Sequence, residues 1–167
     1  MPHVHAYLVR HEEAEPGYDI PDAYRALTAK GRSRMRETGK AVLQHAAIDL
    51  IYTSPLVRAV QTAEILIGAL GMDEPMFARE EIANPATLRS IIDLVDNVPA
   101  NVRGVAIVGH EPTLSELAGE MMGLDAFPRA FKKGMVLALD WDRSAQRAKF
   151  RWLILGKGPT LVHQLEE

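Results

Sequence analysis

Short apolar segments alternate along this chain with longer segments of helical pattern. Strands are predicted over residues 3–9, 48–52, 104–108, 135–141 and 149–155. Helices are predicted between them over residues 29–47, 55–70 and 85–95, with a last helix that ends at residue 122. This alternation favours a three-layer α/β fold, in which helices cover a mostly parallel sheet. The last two strands, separated by a short polar loop, predict an antiparallel hairpin at the sheet edge.

Capping residues indicate where the predicted helices begin. Thr28 is a suitable N-cap for the first helix. The pairs Ser54-Pro55 and Asn84-Pro85 each place a capping side chain before a proline, which is typical of a helix start. We therefore expect the second and third helices to begin at these two prolines.

Size and charge limit the class of protein. The 167 residues, of which 47% are hydrophobic and 25% charged, suit one globular domain over residues 1–167. Lys and Arg number 19 against 22 Asp and Glu, whereas a nucleic-acid-binding domain usually carries a basic surplus. The apolar stretches fall short of the roughly 20 residues that cross a bilayer, which predicts no membrane partner. Because the first residues lack a secretory pattern, we expect a cytoplasmic protein.

A basic run follows the first predicted strand. Its members are Arg25, Lys30, Arg32, Arg34 and Arg36. A solvated helix face is the more ordinary interpretation, and a local anion-binding patch is the alternative.

Arginines, histidines and a serine follow three of the predicted strands. Arg10 and His11 follow the first, Ser54 and Arg58 the second, and His110 the third. Because ligands of α/β sheets bind at the carboxyl ends of the strands, we expect these side chains to converge. Guanidinium groups bind phosphate or carboxylate oxygens, while a histidine can attack, accept a proton or donate a hydrogen bond. Helix N-termini at the same edge add positive partial charge, so the sequence predicts a site for a tetrahedral anion.

Each of these residues taken alone has a plainer interpretation. Arg58 could pair with a helix carboxylate such as Glu64, and His110 could be a buried histidine bonded to a carbonyl. The carboxylate and histidine clusters that bind Mg²⁺ or Zn²⁺ are missing at these strand ends, so we predict neither a metal nor another cofactor. The equivalent positions at three strand ends nevertheless favour one shared anion site.

Four motifs resemble those of the histidine phosphatase superfamily, whose members have the phosphoglycerate mutase-like fold. Residues 8–11, Leu-Val-Arg-His, resemble the opening motif, and residues 25–31 resemble the Arg-Pro-Leu-Thr-x-x-Gly element after it. Residues 54–62 are similar to the second motif, Ser-Pro-x-x-Arg-Ala-x-x-Thr, and residues 108–112 to the third, which carries the second histidine. The short length, without a large insertion, resembles the small phosphohistidine phosphatase branch typified by SixA.

The resemblance implies roles for the residues at the strand ends. His11 would be the nucleophile and would form a phosphohistidine intermediate. The groups that hold the phosphoryl oxygens would be Arg10, Arg58 and His110. Ser54, which lies at the same predicted edge, is a further candidate for substrate binding.

Two questions concern carboxylates near the motifs. Glu81 lies where the branch often has a Glu before an apolar residue and a turn, so it is the first candidate for the acid that protonates the leaving group. Glu13 is the alternative, and both could equally be solvated loop carboxylates. The family motif usually has glycine where this chain has Glu12, and a non-glycine residue at positive φ is costly. We expect the Glu12 side chain to point away from the phosphate.

Three functions fit these observations. The first is a phosphatase acting on phosphohistidine in a protein partner, and the second is a phosphatase for small phosphate esters on the same site. The third is a phosphate-binding or phosphoprotein-binding module without turnover, which Glu12 alone supports. A mutase is least expected, because a short chain offers little material for a lid.

Overall fold

Seven strands form one mixed sheet within the residues that the computed structural model describes, 2–73, 76–85 and 87–167. The strands are β1 (His3–Arg10), β2 (Leu50–Thr53), β3 (Phe77–Ala78), β4 (Gly104–Gly109), β5 (Val136–Asp142), β6 (Arg147–Leu155) and β7 (Thr160–Val162). Their order across the sheet is β3-β2-β4-β1-β5-β6-β7. Strands β3, β2, β4 and β1 are parallel, whereas β5, β6 and β7 continue the sheet by antiparallel pairing.

Helices cover both faces of this sheet. They are α1 (Ala29–His45), α2 (Val57–Leu70), α3 (Glu80–Ala83), α4 (Leu88–Asp96) and α5 (Thr113–Met122), with a short 3₁₀ turn at Asp22–Tyr24. Because successive side chains of a strand point to opposite faces, Tyr7 and Val9 pack with α1 and α2, while Ala6 and Leu8 pack with α4 and α5. The predicted three-layer α/β fold is therefore confirmed. In the described ranges, no helix has both the length and the apolar character that a membrane span requires.

The five predicted strands are confirmed to within two residues at each end, and two further strands are present. Strands β3 and β7 have only two and three residues, too few for a hydrophobic period to be recognised. Each takes its conformation from pairing with a longer neighbour, β2 or β6. The predicted β5–β6 hairpin is present, but β7 lies outside it and forms the edge of the sheet.

The predicted start of the second helix is wrong. Helix α2 begins at Val57, and Pro55 lies in the turn before it. The Ser54 side chain accepts a hydrogen bond from the Leu56 backbone N–H, at 3.2 Å, two residues along the chain. This local turn delays the helix and leaves the Ser54 hydroxyl facing the end of β4.

Of the other two predicted starts, one is confirmed and one is wrong. The Thr28 side chain caps α1 by accepting a hydrogen bond from the Gly31 N–H at 2.9 Å. Asn84, predicted to open a helix, instead ends one, because its N–H donates to the Glu80 carbonyl at 3.0 Å. The next helix, α4, begins only at Leu88.

The three central parallel strands end at a common edge. Arg10 at the end of β1 is in register with Gly109 at the end of β4, and Thr53 at the end of β2 is in register with Val108. The residues that follow these strands therefore start from neighbouring points. This confirms the predicted convergence of the three strand ends.

Candidate active site

His11 follows β1 directly and is buried. Its Nδ1 lies 2.7 Å from the Glu12 carbonyl oxygen. Since a carbonyl oxygen can only accept, Nδ1 carries the proton and donates it, which leaves the lone pair on Nε2. In the neutral ring the geometry thus places the proton on Nδ1 and leaves Nε2 as the nucleophilic nitrogen.

His110, the first residue after β4, lies beside His11. The two ring centroids are 5.1 Å apart. The Nε2 atom of His110 lies 2.7 Å from the Ser54 hydroxyl oxygen, which also accepts the Leu56 N–H. Ser54 is fully buried, so it holds the second ring in place. Within the described part of the chain, Nδ1 of His110 is buried without a hydrogen-bond partner.

Two arginines are fixed by backbone carbonyls. Arg10 donates from Nη1 to the Phe131 carbonyl at 2.9 Å. Arg58, whose side chain is 9% exposed, donates from Nη1 to the Asp22 carbonyl at 2.9 Å and from Nη2 to the Asp22 carboxylate at 3.1 Å. Within the described residues, the Nε atoms of both arginines are buried without a partner. Both guanidinium groups are therefore oriented and keep unused donors.

These side chains surround a cavity of about 210 Å³. Its lining residues are Arg10, His11, Ala14, Arg25, Arg58, His110, Glu111 and Lys133. Four permanent cations thus face one carboxylate. The Glu111 carboxylate is already hydrogen-bonded, because it accepts from both the N–H and the hydroxyl of Ser115. The arrangement suits a compact anion with several oxygens.

Burial keeps both rings neutral. It lowers the pKa of His11 to about 3, and the nearby His110, Arg58 and Arg10 add to the effect, although the bond to the Glu12 carbonyl acts in the opposite direction. Burial together with Arg58 lowers the pKa of His110 to about 4. At neutral pH the Nε2 atom of His11 is consequently available for attack on phosphorus.

We predict that neither ring titrates near the ordinary histidine pKa of about 6.5. In an NMR titration of the ligand-free protein, the ring Cε1–H resonances of His11 and His110 should stay at their neutral positions from about pH 8 to about pH 5. The unfolded chain takes up protons on these histidines below about pH 6.5, so the free energy of unfolding should fall as the pH drops toward 4. Spectra of His11→Ala and His110→Ala provide the assignments. A midpoint near 6.5 for either ring contradicts the prediction.

The structure brings together only some of the residues predicted for the site. Arg10, His11, Arg58 and His110 all line the cavity, whereas Ser54 lies behind His110 and does not. The prediction that Ser54 contacts substrate is therefore corrected to a positioning role. The Ser54 side chain is short and its hydroxyl is bonded to the His110 ring, which is why it does not reach the cavity.

Neither predicted acid lines the cavity. Glu81 is 3.0 Å from the Arg79 guanidinium, and a hydrogen bond from its own backbone together with that ion pair lowers its pKa. Glu13 accepts a hydrogen bond from the Thr28 hydroxyl at 3.0 Å and lies 3.9 Å from Arg34. A carboxylate whose pKa is lowered by an arginine is a poor proton donor, so the role predicted for Glu81 is not supported.

Three polar residues of the cavity region had no predicted role. They are Asp22, Glu111 and Lys133. Asp22 belongs to the turn-rich loop after β1 and bridges Arg25 and Arg58. Arg25 itself lines the cavity, in agreement with the alternative interpretation of the basic run as an anion-binding patch. Glu111 is adjacent to a predicted site residue, but nothing in the sequence places Lys133 near the strand ends.

Glu12 points away from the anion cavity, as expected. It does not line that cavity, and its Oε1 accepts the Glu13 N–H at 2.8 Å. Its carboxylate lies against Gly134, which has φ +73°. The backbone of Glu12 is also unstrained, since among the described non-glycine residues only Gln146 has a positive φ.

Comparisons with known proteins agree with the motifs. A family model of the histidine phosphatase superfamily, branch 1, matches residues 6–84. A Haemophilus influenzae protein described as a phosphohistidine phosphatase SixA homolog is 30% identical over 145 residues, which span 81% of this chain and 87% of that protein.

Solved structures agree with the fold. The structure of the protein histidine phosphatase SixA complexed with tungstate superposes with a TM-score of 0.84 at 20% identity, over 93% of this chain and 99% of that one. A crystal structure provisionally assigned to phosphohistidine phosphatase SixA from Agrobacterium tumefaciens gives a TM-score of 0.77 at 26% identity, over 93% and 99% of the two chains. A phosphoglycerate mutase from Plasmodium falciparum superposes with a TM-score of 0.66 at 17% identity, over 90% of each chain, which confirms the phosphoglycerate mutase-like fold expected from the resemblance.

Proposed function

The chain belongs to the histidine phosphatase superfamily, and we propose that it is a phosphatase that removes the phosphoryl group from phosphohistidine in a protein. One observation carries the proposal: a neutral histidine with its Nδ1 fixed by a carbonyl stands in a cavity lined by four cations. The similarity to SixA proteins supports the choice of substrate class.

The first step is attack by His11. Its Nε2 forms a bond to phosphorus as the P–N bond of the substrate histidine breaks, and the substrate ring, protonated on its other nitrogen, leaves as neutral imidazole. Covalent catalysis of this kind divides one difficult displacement into two easier ones. In the second step water attacks the phosphorus, releases inorganic phosphate and returns neutral His11.

The surrounding cations stabilise the charge on the phosphoryl oxygens. Arg10 and Arg58 have unused donors and are already oriented, so little reorganisation accompanies the reaction. His110 is neutral in the ligand-free cavity, but a bound phosphoryl dianion raises the pKa of its ring, because an opposite charge favours the protonated form. The protonated ring then adds a positive charge beside the phosphoryl oxygens.

The absence of a free carboxylic acid among the described residues that line the cavity favours a P–N substrate over an alkyl ester. In the described part of the chain, Glu111 is the one carboxylate that lines the cavity, and both its oxygens are held by Ser115. An alkoxide needs a well-placed acid to leave, whereas a phosphohistidine ring that is protonated on its other nitrogen leaves as neutral imidazole without a proton from the enzyme. The same site could still accept small esters with good leaving groups, which is the alternative that the experiment below separates.

A binding module without turnover loses its only support. That hypothesis rested on Glu12, whose side chain lies outside the anion cavity and whose backbone is unstrained. We predict that Glu12→Gln changes kcat/KM for 4-nitrophenyl phosphate by less than about threefold, since charges outside a site contribute little. Steady-state kinetics at neutral pH measure this. A gain of tenfold or more would mean that Glu12 inhibits the site.

Three substrates with different leaving groups test the proposed function. A phosphohistidine peptide, an alkyl phosphate and 4-nitrophenyl phosphate are each incubated with the protein, with His11→Ala and a blank as controls. We expect the highest kcat/KM with the phosphohistidine peptide and the lowest with the alkyl phosphate. Faster turnover of the alkyl phosphate would favour the small-ester alternative. No turnover of any substrate, with phosphate still bound, would overturn the enzyme hypothesis.

The proposed partner is therefore a phosphorylated protein. Neither step of the proposed reaction uses a metal or another cofactor. The cytoplasmic location and the one-domain extent of residues 1–167 stay predictions.

A further inference from the structure

A second cavity, of about 320 Å³, adjoins the candidate active site. We call it the basic cavity, and its lining residues are Arg10, Glu12, Arg34, Lys132, Lys133, Gly156 and Lys157. Arg10 and Lys133 line both cavities. A molecule large enough to extend beyond the first cavity on this side therefore reaches the second.

The positive charge of the basic cavity is not neutralised by ion pairs. Lys132, Lys133 and Lys157 are exposed, and across the described ranges none of the three forms an ion pair. Arg34 has one weak partner, Glu13, at 3.9 Å. In a chain with a net charge of −3, such a concentration is a local feature of this surface.

Glu12 determines how deep an anion can sit in the basic cavity. Its buried carboxylate lies against Gly134, close to Gly156. A phosphate dianion bound deep in the cavity would meet this carboxylate, whereas carboxylates held at the rim by the lysines would not. Lysines provide flexible point charges rather than the paired donors of arginine, and they suit single carboxylates on a protein surface.

We propose that the basic cavity binds Asp and Glu side chains next to the phosphohistidine of the protein substrate. The inference rests on the proposed function, and it adds that the substrate is acidic around its phosphorylated residue. Contacts of this type mainly select the partner and speed its association.

Two phosphohistidine peptides of equal length provide the test. One has Asp and Glu on both sides of the phosphohistidine, and the other has Asn and Gln at the same positions. At low salt, wild-type protein should turn over the acidic peptide with a kcat/KM about tenfold higher, and the difference should shrink as salt screens the charges. In the Lys132→Gln/Lys157→Gln variant the preference should fall to about twofold or less, with turnover of the neutral peptide unchanged.

The control variant is Lys40→Gln/Lys149→Gln. It makes the same change in net charge at two exposed lysines that line neither cavity, so the preference for the acidic peptide should persist. Equal turnover of both peptides by wild-type protein would overturn the proposal. An equal loss of the preference for the acidic peptide in the two double variants would mean that net charge alone produces this preference. That result would also overturn the proposal.

A binding measurement separates this inference from the proposed function. The unphosphorylated acidic peptide, labelled with a fluorophore, is titrated with wild-type protein and with both double variants. Binding that only Lys132→Gln/Lys157→Gln weakens supports the basic cavity even if no phosphohistidine peptide is turned over. The same weak binding by all three proteins would reject it, whatever the phosphatase activity.

Discussion

Replacing His11 with alanine is expected to lower kcat for a phosphohistidine peptide by about a thousandfold or more. The variant has no nitrogen that can attack phosphorus, so the two-step route is closed. The arginines and His110 remain, and they still bind phosphate. Single-turnover and steady-state assays against a blank measure the loss.

The variant must still be folded for this result to count. His11 follows β1, and within the described residues its ring makes one hydrogen bond, to the Glu12 carbonyl, so its removal should leave the circular dichroism spectrum and the binding of inorganic phosphate largely intact. A variant that is folded, binds phosphate and turns over the peptide at more than a tenth of the wild-type rate would exclude His11 as the nucleophile.

Replacing Arg58 with alanine is expected to lower kcat/KM by about 10²- to 10³-fold. Its guanidinium is nearly buried and oriented by two hydrogen bonds to Asp22, so it faces the phosphoryl group without further rearrangement. Among the described residues, the variant also leaves Arg25 as the one partner of the Asp22 carboxylate. Steady-state kinetics with 4-nitrophenyl phosphate and the phosphohistidine peptide measure both losses.

Arg79→Ala is the matched control for Arg58→Ala. Arg79 also pairs with a carboxylate, that of Glu81, but it does not line the cavity. Its removal should change kcat/KM by less than about threefold. Equal losses in the two variants would mean that the arginine at position 58 acts through general charge or stability and not through contact with the phosphoryl group.

The part of the site that depends on strand ends could be predicted from the sequence. Parallel strands of one sheet end at one edge, so Arg10, His11, Arg58 and His110 could be placed together from the strand pattern alone. Their motif spacing then pointed to the family. The alternative of an Arg58–Glu64 pair is wrong, because Arg58 pairs with Asp22.

The residues contributed by loops could not be predicted in this way. Lys133 and Asp22 come to the cavity through loop geometry that no hydrophobic period encodes. Capping rules place helix starts at Ser54 and Asn84, but Ser54 accepts the Leu56 N–H within a turn that precedes α2, and Asn84 donates its N–H to Glu80 at the end of α3. The acid role predicted for Glu81 is not supported for a related reason, since Arg79, at the start of the same short helix, binds its carboxylate.

The central claim is that His11 carries the phosphoryl group during turnover. Wild-type protein is mixed rapidly with the phosphohistidine peptide and stopped with alkali, which preserves phosphohistidine, and the digest is mapped by mass spectrometry. The account predicts phosphate on His11 that forms at least as fast as the peptide is turned over, and none in His11→Ala. Phosphate on His110, or full turnover without any phosphorylated protein, would contradict it.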